Sequence, residues 1–156
     1  MAYQDARLLL SGSIDGTTNA VTGQTVTTAG TFVSTNTIDL LQSRDIGEGE
    51  DLYARFIVTV QPTTGTSVEF QVIGSAAANL SSPTVLGTTG AVAVASLPVG
   101  KRLAVELSPQ IGSLGFRYLG VQYVNTGAIA AGTYIADIGK EIQDGQKFYP
   151  SGFTVI

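Results

Sequence analysis

The sequence feature that most constrains the fold is the run LYARFIVTV at residues 52–60, in which apolar residues occupy every second position. Successive side chains of an extended strand point to opposite faces, so a two-residue period gathers the apolar side chains on one face. Such a face is stable only when it is buried against a second layer. We therefore predict a β-strand over residues 52–60. Its buried face consists of Leu52, Ala54, Phe56, Val58 and Val60.

Shorter runs with the same period follow along the chain, separated by glycine, proline and asparagine residues that favour turns. A first core strand is predicted to start near Val26 and to continue to Val33. A chain rich in Thr, Val and Gly, with no helical period of useful length, favours strands and turns. These runs predict an all-β fold, an antiparallel β-sandwich or jelly roll of about eight strands. The other strand candidates are residues 38–40, 68–72, 84–88, 91–95, 103–107, 116–124 and 132–138.

Two neighbouring strands are predicted to pair as a hairpin. Residues 61–67, which include Pro62 and Gly65, separate the run at 52–60 from the run at 68–72. If the two strands pair, their apolar sets must lie on one face, which requires a register such as Val60 opposite Val68. Residues 97–100, with the sequence LPVG, predict a turn. The predicted core contains Phe56, Val58, Phe70, Val72, Leu103, Val105, Leu119 and Val121.

The chain is predicted to form one domain with an arm at each end, since 156 residues suffice for a single sizeable core. Residues 1–24, rich in Gly, Thr and Ser, are predicted to be an N-terminal arm or meandering segment. Residues 25–139 carry the strand pattern and are predicted to be the jelly-roll domain. Residues 140–156 end in apolar side chains and are predicted to be a C-terminal arm that is buried on its own domain or on a partner.

The composition argues against most enzyme chemistry. The chain has no cysteine and no histidine, which excludes disulfides, thiolate nucleophiles, histidine acid–base catalysis and the usual zinc sites. The formal net charge of -4 argues against unspecific nucleic-acid binding, which needs a basic surface. No run approaches the roughly 18 apolar residues of a membrane span, and no signal-peptide core is present. We predict a soluble protein that is not an enzyme and binds no cofactor.

Residues 44–51, with the sequence RDIGEGED, contain the densest cluster of carboxylates. Oxygen ligands in a glycine-rich loop can hold calcium, which accepts irregular geometry, although the spacing here is not that of an EF-hand. Two acids in a cleft can also serve a glycosidase, but the chain has no tryptophan to form a sugar platform. The favoured interpretation is a solvated loop in which Arg44 balances Asp45, Glu48, Glu50 and Asp51.

The run GFRYLGVQYV at residues 115–124 has apolar side chains on both faces. Such a strand is either central in its sheet or covered by another subunit. Aromatic side chains beside an arginine are also typical of protein interfaces. For Phe116 and Tyr118, which share one face, both a core and an interface position therefore stay open.

Five segments occur in this order along the chain: YQDARLLLSGS, STNTIDL, RDIGEGEDLYARFIV, RYLGVQYV and AGTYIADI. Together they resemble the jelly-roll capsid cement proteins, also called decoration proteins, of tailed bacteriophages such as the Bordetella phage. The resemblance extends from about Tyr3 to about Ile138 and leaves residues 140–156 outside it.

The resemblance implies a non-enzymatic virion protein on the outer surface of the head, made in the host cytoplasm. It would bind the major capsid protein at subunit junctions and reinforce the shell. It would also associate with itself, as a homodimer in the first place and as a trimer in the alternative, without nucleic acid, membrane, metal or cofactor. The residues predicted to contact a partner are Tyr3, Leu8, Leu9, Arg44, Phe116, Tyr118, Phe148, Tyr149, Phe153 and Ile156.

A second hypothesis is a carbohydrate-binding or adhesin-type β-sandwich module. It would need an exposed aromatic platform or a loop supported by calcium, for which the acids at 44–51 are the candidates.

Overall fold

A computed structural model describes residues 7–43, 51–107 and 114–140. They form twelve β-strands and one turn of 3-10 helix at Val94–Ser96. Within these ranges no helix is long and apolar enough to span a membrane. The strands are β1 (Leu9–Ser11), β2 (Ser13–Ile14), β3 (Val21–Thr22), β4 (Gln24–Thr25), β5 (Gly30–Val33), β6 (Ile38–Asp39), β7 (Tyr53–Thr63), β8 (Ser67–Ser75), β9 (Thr84–Ala93), β10 (Arg102–Glu106), β11 (Tyr118–Thr126) and β12 (Ala131–Gly139).

Ten of the described strands form two antiparallel sheets that pack as a β-sandwich, which confirms the predicted fold class, and β2 and β3 pair as a separate two-stranded ribbon. Sheet 1 has the order β1-β12-β7-β10, and β4 also pairs with β12. Sheet 2 has the order β5-β11-β8-β9, and β6 also pairs with β11. Between β4 and β5 the chain passes from sheet 1 to sheet 2, with Val26 buried in the crossing. This crossing closes one side of the sandwich.

Four fully buried aromatic side chains fill the centre of the core. Phe56 on β7 and Tyr134 on β12 come from sheet 1, and Phe70 on β8 and Tyr123 on β11 come from sheet 2. The ring centroids of Phe56 and Phe70 lie 5.3 Å apart, and those of Phe70 and Tyr134 lie 5.1 Å apart at nearly a right angle. Tilted and edge-to-face pairs of this kind stabilise a core beyond the area that they bury. The two-residue period thus brings one ring from each of four strands into a single layer.

The predicted hairpin between residues 52–60 and 68–72 is wrong. β7 continues to Thr63, and β8 begins at Ser67 in the opposite sheet. β7 pairs with β10 and β12, whereas β8 pairs with β9 and β11. The apolar faces of β7 and β8 therefore meet across the sandwich, as the contact between Phe56 and Phe70 shows. The alternating pattern requires only that the apolar face of each strand is buried. Two strands in facing sheets satisfy this requirement as well as two neighbours in one sheet do.

Three side chains depart from the predicted burial, and the first of them, Leu52, is only partly buried. Seven of the eight predicted core residues are buried, but Leu103 is only half-buried because it lies on β10, an edge strand of sheet 1. Val60 is 45% exposed. The register between β7 and β12 shifts on both sides of the pairing of Val60 with Thr133, and such irregularities redirect side chains.

Some predicted strand boundaries also differ from those observed. The candidates at 84–88 and 91–95 form one strand, β9, whose pairing with β8 is irregular near Gly87 and Gly90. The strand predicted over 26–33 is limited to β5, since Val26 belongs to the crossing. The turn predicted at 97–100 is confirmed, because the Lys101 N–H donates to the carbonyl oxygen of Pro98. The predicted candidates correspond to eight of the twelve described strands, and the other four, β1, β2, β3 and β4, have only two or three residues each.

The run at residues 115–124 was predicted to be either a central strand or a strand covered by another subunit. It contains β11, which lies between other strands of sheet 2 and is covered on both faces, so it is a central strand. Its inner face carries Tyr123. On its outer face, a side chain at Gly120 would collide with the side chain of Leu80, which is 2% exposed. The loop at 76–83 therefore covers this end of the strand with an apolar side chain from the same chain.

Candidate functional site

The first and last described residues of the chain lie at one end of the sandwich, together with residues that border the connections at 44–50 and 108–113. The short link from Thr63 to Ser67 marks the opposite end, so the start of β7 and the end of β8 lie here. Tyr53 pairs with Gly139 in sheet 1, and Tyr118 pairs with Ser75 in sheet 2. We call this the convergent end of the molecule.

Hydrogen bonds fix the points at which these segments reach the convergent end. The Ile138 N–H donates to the Leu8 carbonyl oxygen over 3.1 Å, so the N-terminal segment enters beside the end of β12. Lys140 leaves immediately after β12. The Leu107 N–H donates to the Leu52 carbonyl oxygen over 2.8 Å, so described residues that border the connections at 44–50 and 108–113 also lie at this end. The residues of those two connections lie outside the described part of the chain.

An ion pair joins two strands at the convergent end. Arg117, just before β11, donates from Nε and Nη2 to the two carboxylate oxygens of Asp39 on β6, each over 2.7 Å. These bonds hold the pKa of the Asp39 carboxyl below its usual value and raise the pKa of Arg117. The guanidinium carbon of Arg117 also lies 5.1 Å from the ring centroid of Tyr118. The pair fixes the arginine in one orientation over the half-exposed tyrosine.

Two leucines close in the chain to the members of this ion pair are exposed. Leu41 is 71% exposed and Leu114 is 56% exposed, the former being the most exposed of the large apolar side chains described. The Leu41 N–H donates to Oδ1 of Asp39 over 2.7 Å. The backbone of Leu41 has a φ of +69°, a conformation that strongly favours glycine over leucine. We call Asp39, Leu41, Leu114, Arg117 and Tyr118 the Leu41 patch.

The predicted contact residues have different environments in the structure. Leu8 is 40% exposed, whereas Leu9 is 3% exposed within β1. Phe116 packs against the core and would press on any side chain at Gly74, while Tyr118 belongs to the Leu41 patch. Their roles in binding a partner stay predictions. The other predicted contact residues lie outside the described ranges, namely Tyr3, Arg44, Phe148, Tyr149, Phe153 and Ile156.

Of the five members of the patch, only Tyr118 was among the predicted contact residues, and Asp39, Leu41, Leu114 and Arg117 were not. The available signal was the pair Leu40-Leu41, which breaks the alternation of the preceding strand. Two consecutive apolar residues at a strand end cannot both face the core. Here Leu40 packs against it and Leu41 points to solvent.

Most of the acidic segment at residues 44–51 lies outside the described residues. Asp51 is exposed at the start of β7, and Asp45, Glu48 and Glu50 lie outside the described ranges. Residues 7–43, 51–107 and 114–140 contain no group of three or more side chains able to hold a metal ion. Calcium binding by the acidic segment stays a hypothesis.

A second ion pair ties β7 to β12 on the outer face of sheet 1. Arg55 donates from Nε and Nη2 to the carboxylate of Asp137 over 2.8 and 2.6 Å. The Asp137 side chain is only 4% exposed. The guanidinium lies over Gly139, where any side chain would displace it. This pair fixes the strand from which the C-terminal segment departs.

The fold and this surface define a class: an antiparallel β-sandwich whose first and last described residues lie at the same end, beside an ion pair and an exposed leucine. The family model Bbp16 matches residues 20–138. The chain therefore belongs to the Bbp16 family. Bbp16 is the cement protein of the Bordetella phage BPP-1, and membership implies a structural protein of the phage capsid surface. A search of curated proteins finds no significant match.

Proposed function

We propose that this protein binds the outer surface of the phage head where copies of the major capsid protein meet, and that it stabilises the shell. The observation that carries the proposal is the match to the Bbp16 family over residues 20–138, which include nearly the whole sandwich. A clamp of this kind needs a compact scaffold and surface contacts, and it needs no cofactor.

The convergent end supports a specific orientation. Leu8 and Lys140 flank the two terminal segments, and both lie at that end together with the Leu41 patch. We infer that this end faces the capsid and that residues 1–8 and 140–156 supply contacts beyond the sandwich. Residues 9–11 form β1 in sheet 1, with Leu10 in the core, so the contact role is assigned to the residues before Leu9.

The partners in this proposal are the major capsid protein and a second copy of this chain. The homodimer is the preferred arrangement and the trimer the alternative. Because many copies act on one shell, modest contacts at each site add up through avidity. Ordering of a terminal segment on binding also costs conformational entropy, which keeps the affinity of a single site modest.

The test is reconstitution on heads that lack the cement protein. Purified protein is titrated onto such heads, and binding is followed by co-sedimentation and head stability by heat resistance. Two truncated forms, lacking residues 1–6 or residues 146–156, leave the described strands intact. Both should retain a β-type circular dichroism spectrum, and at least one should bind heads less well or fail to protect them from heat.

Two results would overturn parts of the proposal. Failure of the full-length protein to bind heads would reject the cement function for this chain. If full-length protein binds and both truncated forms bind and stabilise heads equally well, the terminal segments are not the clamp. Imaging of decorated heads then gives the symmetry position and the oligomeric state directly.

A further inference from the structure

We propose that the Leu41 patch is a preformed docking surface for an uncharged, apolar segment of the major capsid protein. This inference rests on the proposed function and assigns it to particular side chains. The patch consists of Asp39, Leu41, Leu114, Arg117 and Tyr118, as defined above.

The first argument is the conformation of Leu41. Its φ of +69° is unfavourable for a branched side chain, and its side chain is 71% exposed. Leu80 has a comparable φ of +54°, but it is 2% exposed and packs into the space above Gly120. Burial within the chain therefore compensates Leu80 for its conformation and does not compensate Leu41. Residues held in disfavoured conformations concentrate at binding and catalytic sites, where the strain belongs to the function.

The second argument is that the patch is held rigid before any partner arrives. Asp39 accepts the Leu41 N–H and both donors of Arg117, over distances of 2.7 Å. The neighbouring Leu40 N–H donates to the Arg117 carbonyl oxygen over 2.9 Å. These bonds fix the backbone that presents Leu41, so little ordering entropy remains to be lost on binding.

The third argument concerns charge and identifies the chemistry of the partner. The two charges of the patch, on Asp39 and Arg117, neutralise each other in a two-bond ion pair. The chain as a whole carries a net charge of -4, so a surface with balanced charge differs from the average of the molecule. A charged segment would compete with the ion pair, whereas an apolar segment can cover the leucines and leave the pair intact. Membership in a capsid cement family makes the capsid protein the partner for this surface.

Leu114 is included in the patch because it is close to Arg117 in the chain. It precedes Arg117 by three residues, which limits the separation of their Cα atoms to about 10 Å. Its side chain is 56% exposed. Arginine and tyrosine, which the patch also contains, are enriched among the residues that dominate binding energy.

The decisive variants are Leu41→Gly and Leu41→Asn. Glycine and asparagine adopt a positive φ more readily than leucine, so both changes relieve backbone strain while they remove the apolar side chain. We expect both variants to melt no more than about 2 °C below the wild type. The asparagine variant should melt at a higher temperature than the glycine variant, because glycine gives the unfolded chain more conformational freedom. We expect affinity for heads lacking the cement protein to fall about tenfold or more, as for truncation of a dominant contact residue.

Val99→Ser is the matched control. Val99 is 65% exposed and lies in the turn before β10, toward the opposite end of the sandwich. It should bind heads with wild-type affinity, because loss of an exposed apolar side chain outside the patch removes no contact. Leu114→Ser should weaken binding in the same direction as the Leu41 variants.

Three outcomes would overturn this inference. If wild-type protein binds heads and both Leu41 variants bind equally well, the patch is not a contact surface and the proposed function stands. If the variants melt several degrees lower, Leu41 has a structural role instead. If the wild type does not bind heads, the proposed function fails, and this inference fails with it.

Discussion

Two tyrosine hydroxyl groups are buried in the centre of the core. Tyr123 and Tyr134 stack with ring centroids 5.1 Å apart, and neither hydroxyl has a hydrogen-bond partner among the described residues. Burial raises the pKa of Tyr134 to about 12 and also raises that of Tyr123, on which Ser11 has an opposing effect. Both phenols are therefore kept neutral by the apolar layer around them.

This burial predicts loss of stability in alkali. The unfolded tyrosine releases its proton near pH 10, while the folded one retains it to higher pH, so the folded state binds more protons over the interval between. The contribution is complete below pH 10 and decreases as pH rises toward 12, by up to about 1.4 kcal/mol per pH unit for each tyrosine. Tyr134→Phe should change the unfolding free energy little at pH 7 and should reduce this slope. Urea unfolding at several values between pH 9 and 12 measures it, and an unchanged slope in the variant would contradict the assignment.

At the scale of elements, the structure shows which strands pair, and the sequence pattern does not determine this. The alternation at 52–60 correctly predicts β7 and its buried face, since any arrangement must hide Phe56 and Val58. Whether β8 lies beside β7 or faces it depends on long-range packing that no local pattern encodes. The cover of β11 by Leu80 escapes prediction for the same reason, because it depends on a loop that is distant in sequence.

The contact between loop 76–83 and β11 can be tested by a double-mutant cycle. Leu80→Ala should cost about 2–5 kcal/mol, since it empties a fully buried site. Gly120→Ala should also destabilise, because the added methyl group meets the Leu80 side chain and Ser34. Combined, the two changes should cost less than the sum of the single costs, since the shorter side chain at position 80 makes room for the methyl group. Additive costs in chemical denaturation would show that Leu80 does not fill the space above Gly120.

At the scale of the whole molecule, the fold class was predictable and the candidate site was predictable only in part. Burial periodicity reports the architecture because it records which faces avoid water. An interaction surface leaves no such period, so Tyr118 was singled out by composition alone and Leu41 was missed. The positive φ of Leu41 arises from the bonds of Asp39, which are visible only after the strands are paired.

The interpretation of the acidic segment at residues 44–51 as a solvated loop predicts how the melting temperature of the whole molecule responds to calcium. Glu48→Gln combined with Glu50→Gln should leave the melting temperature nearly unchanged, both in EDTA and with calcium, because solvated carboxylates contribute little to stability. Differential scanning calorimetry under the two conditions is sufficient. A large rise of the wild-type melting temperature with calcium, absent in the variant, would identify a metal site. Such a site would support the alternative hypothesis of a carbohydrate-binding or adhesin-type module.

The described part of the chain begins and ends at the same end of the sandwich, and this has a practical consequence for display. A peptide fused to residue 1 or residue 156 is tethered to a segment that reaches the sandwich beside Leu8 or Lys140. On a decorated head with the proposed orientation, such a fusion would be attached on the shell side. A guest inserted in the turn that contains Val99 would start from the other end of a rigid spacer and project away from the particle. For an antigen carrier built on this protein, the internal turn is therefore the better attachment point than either terminus.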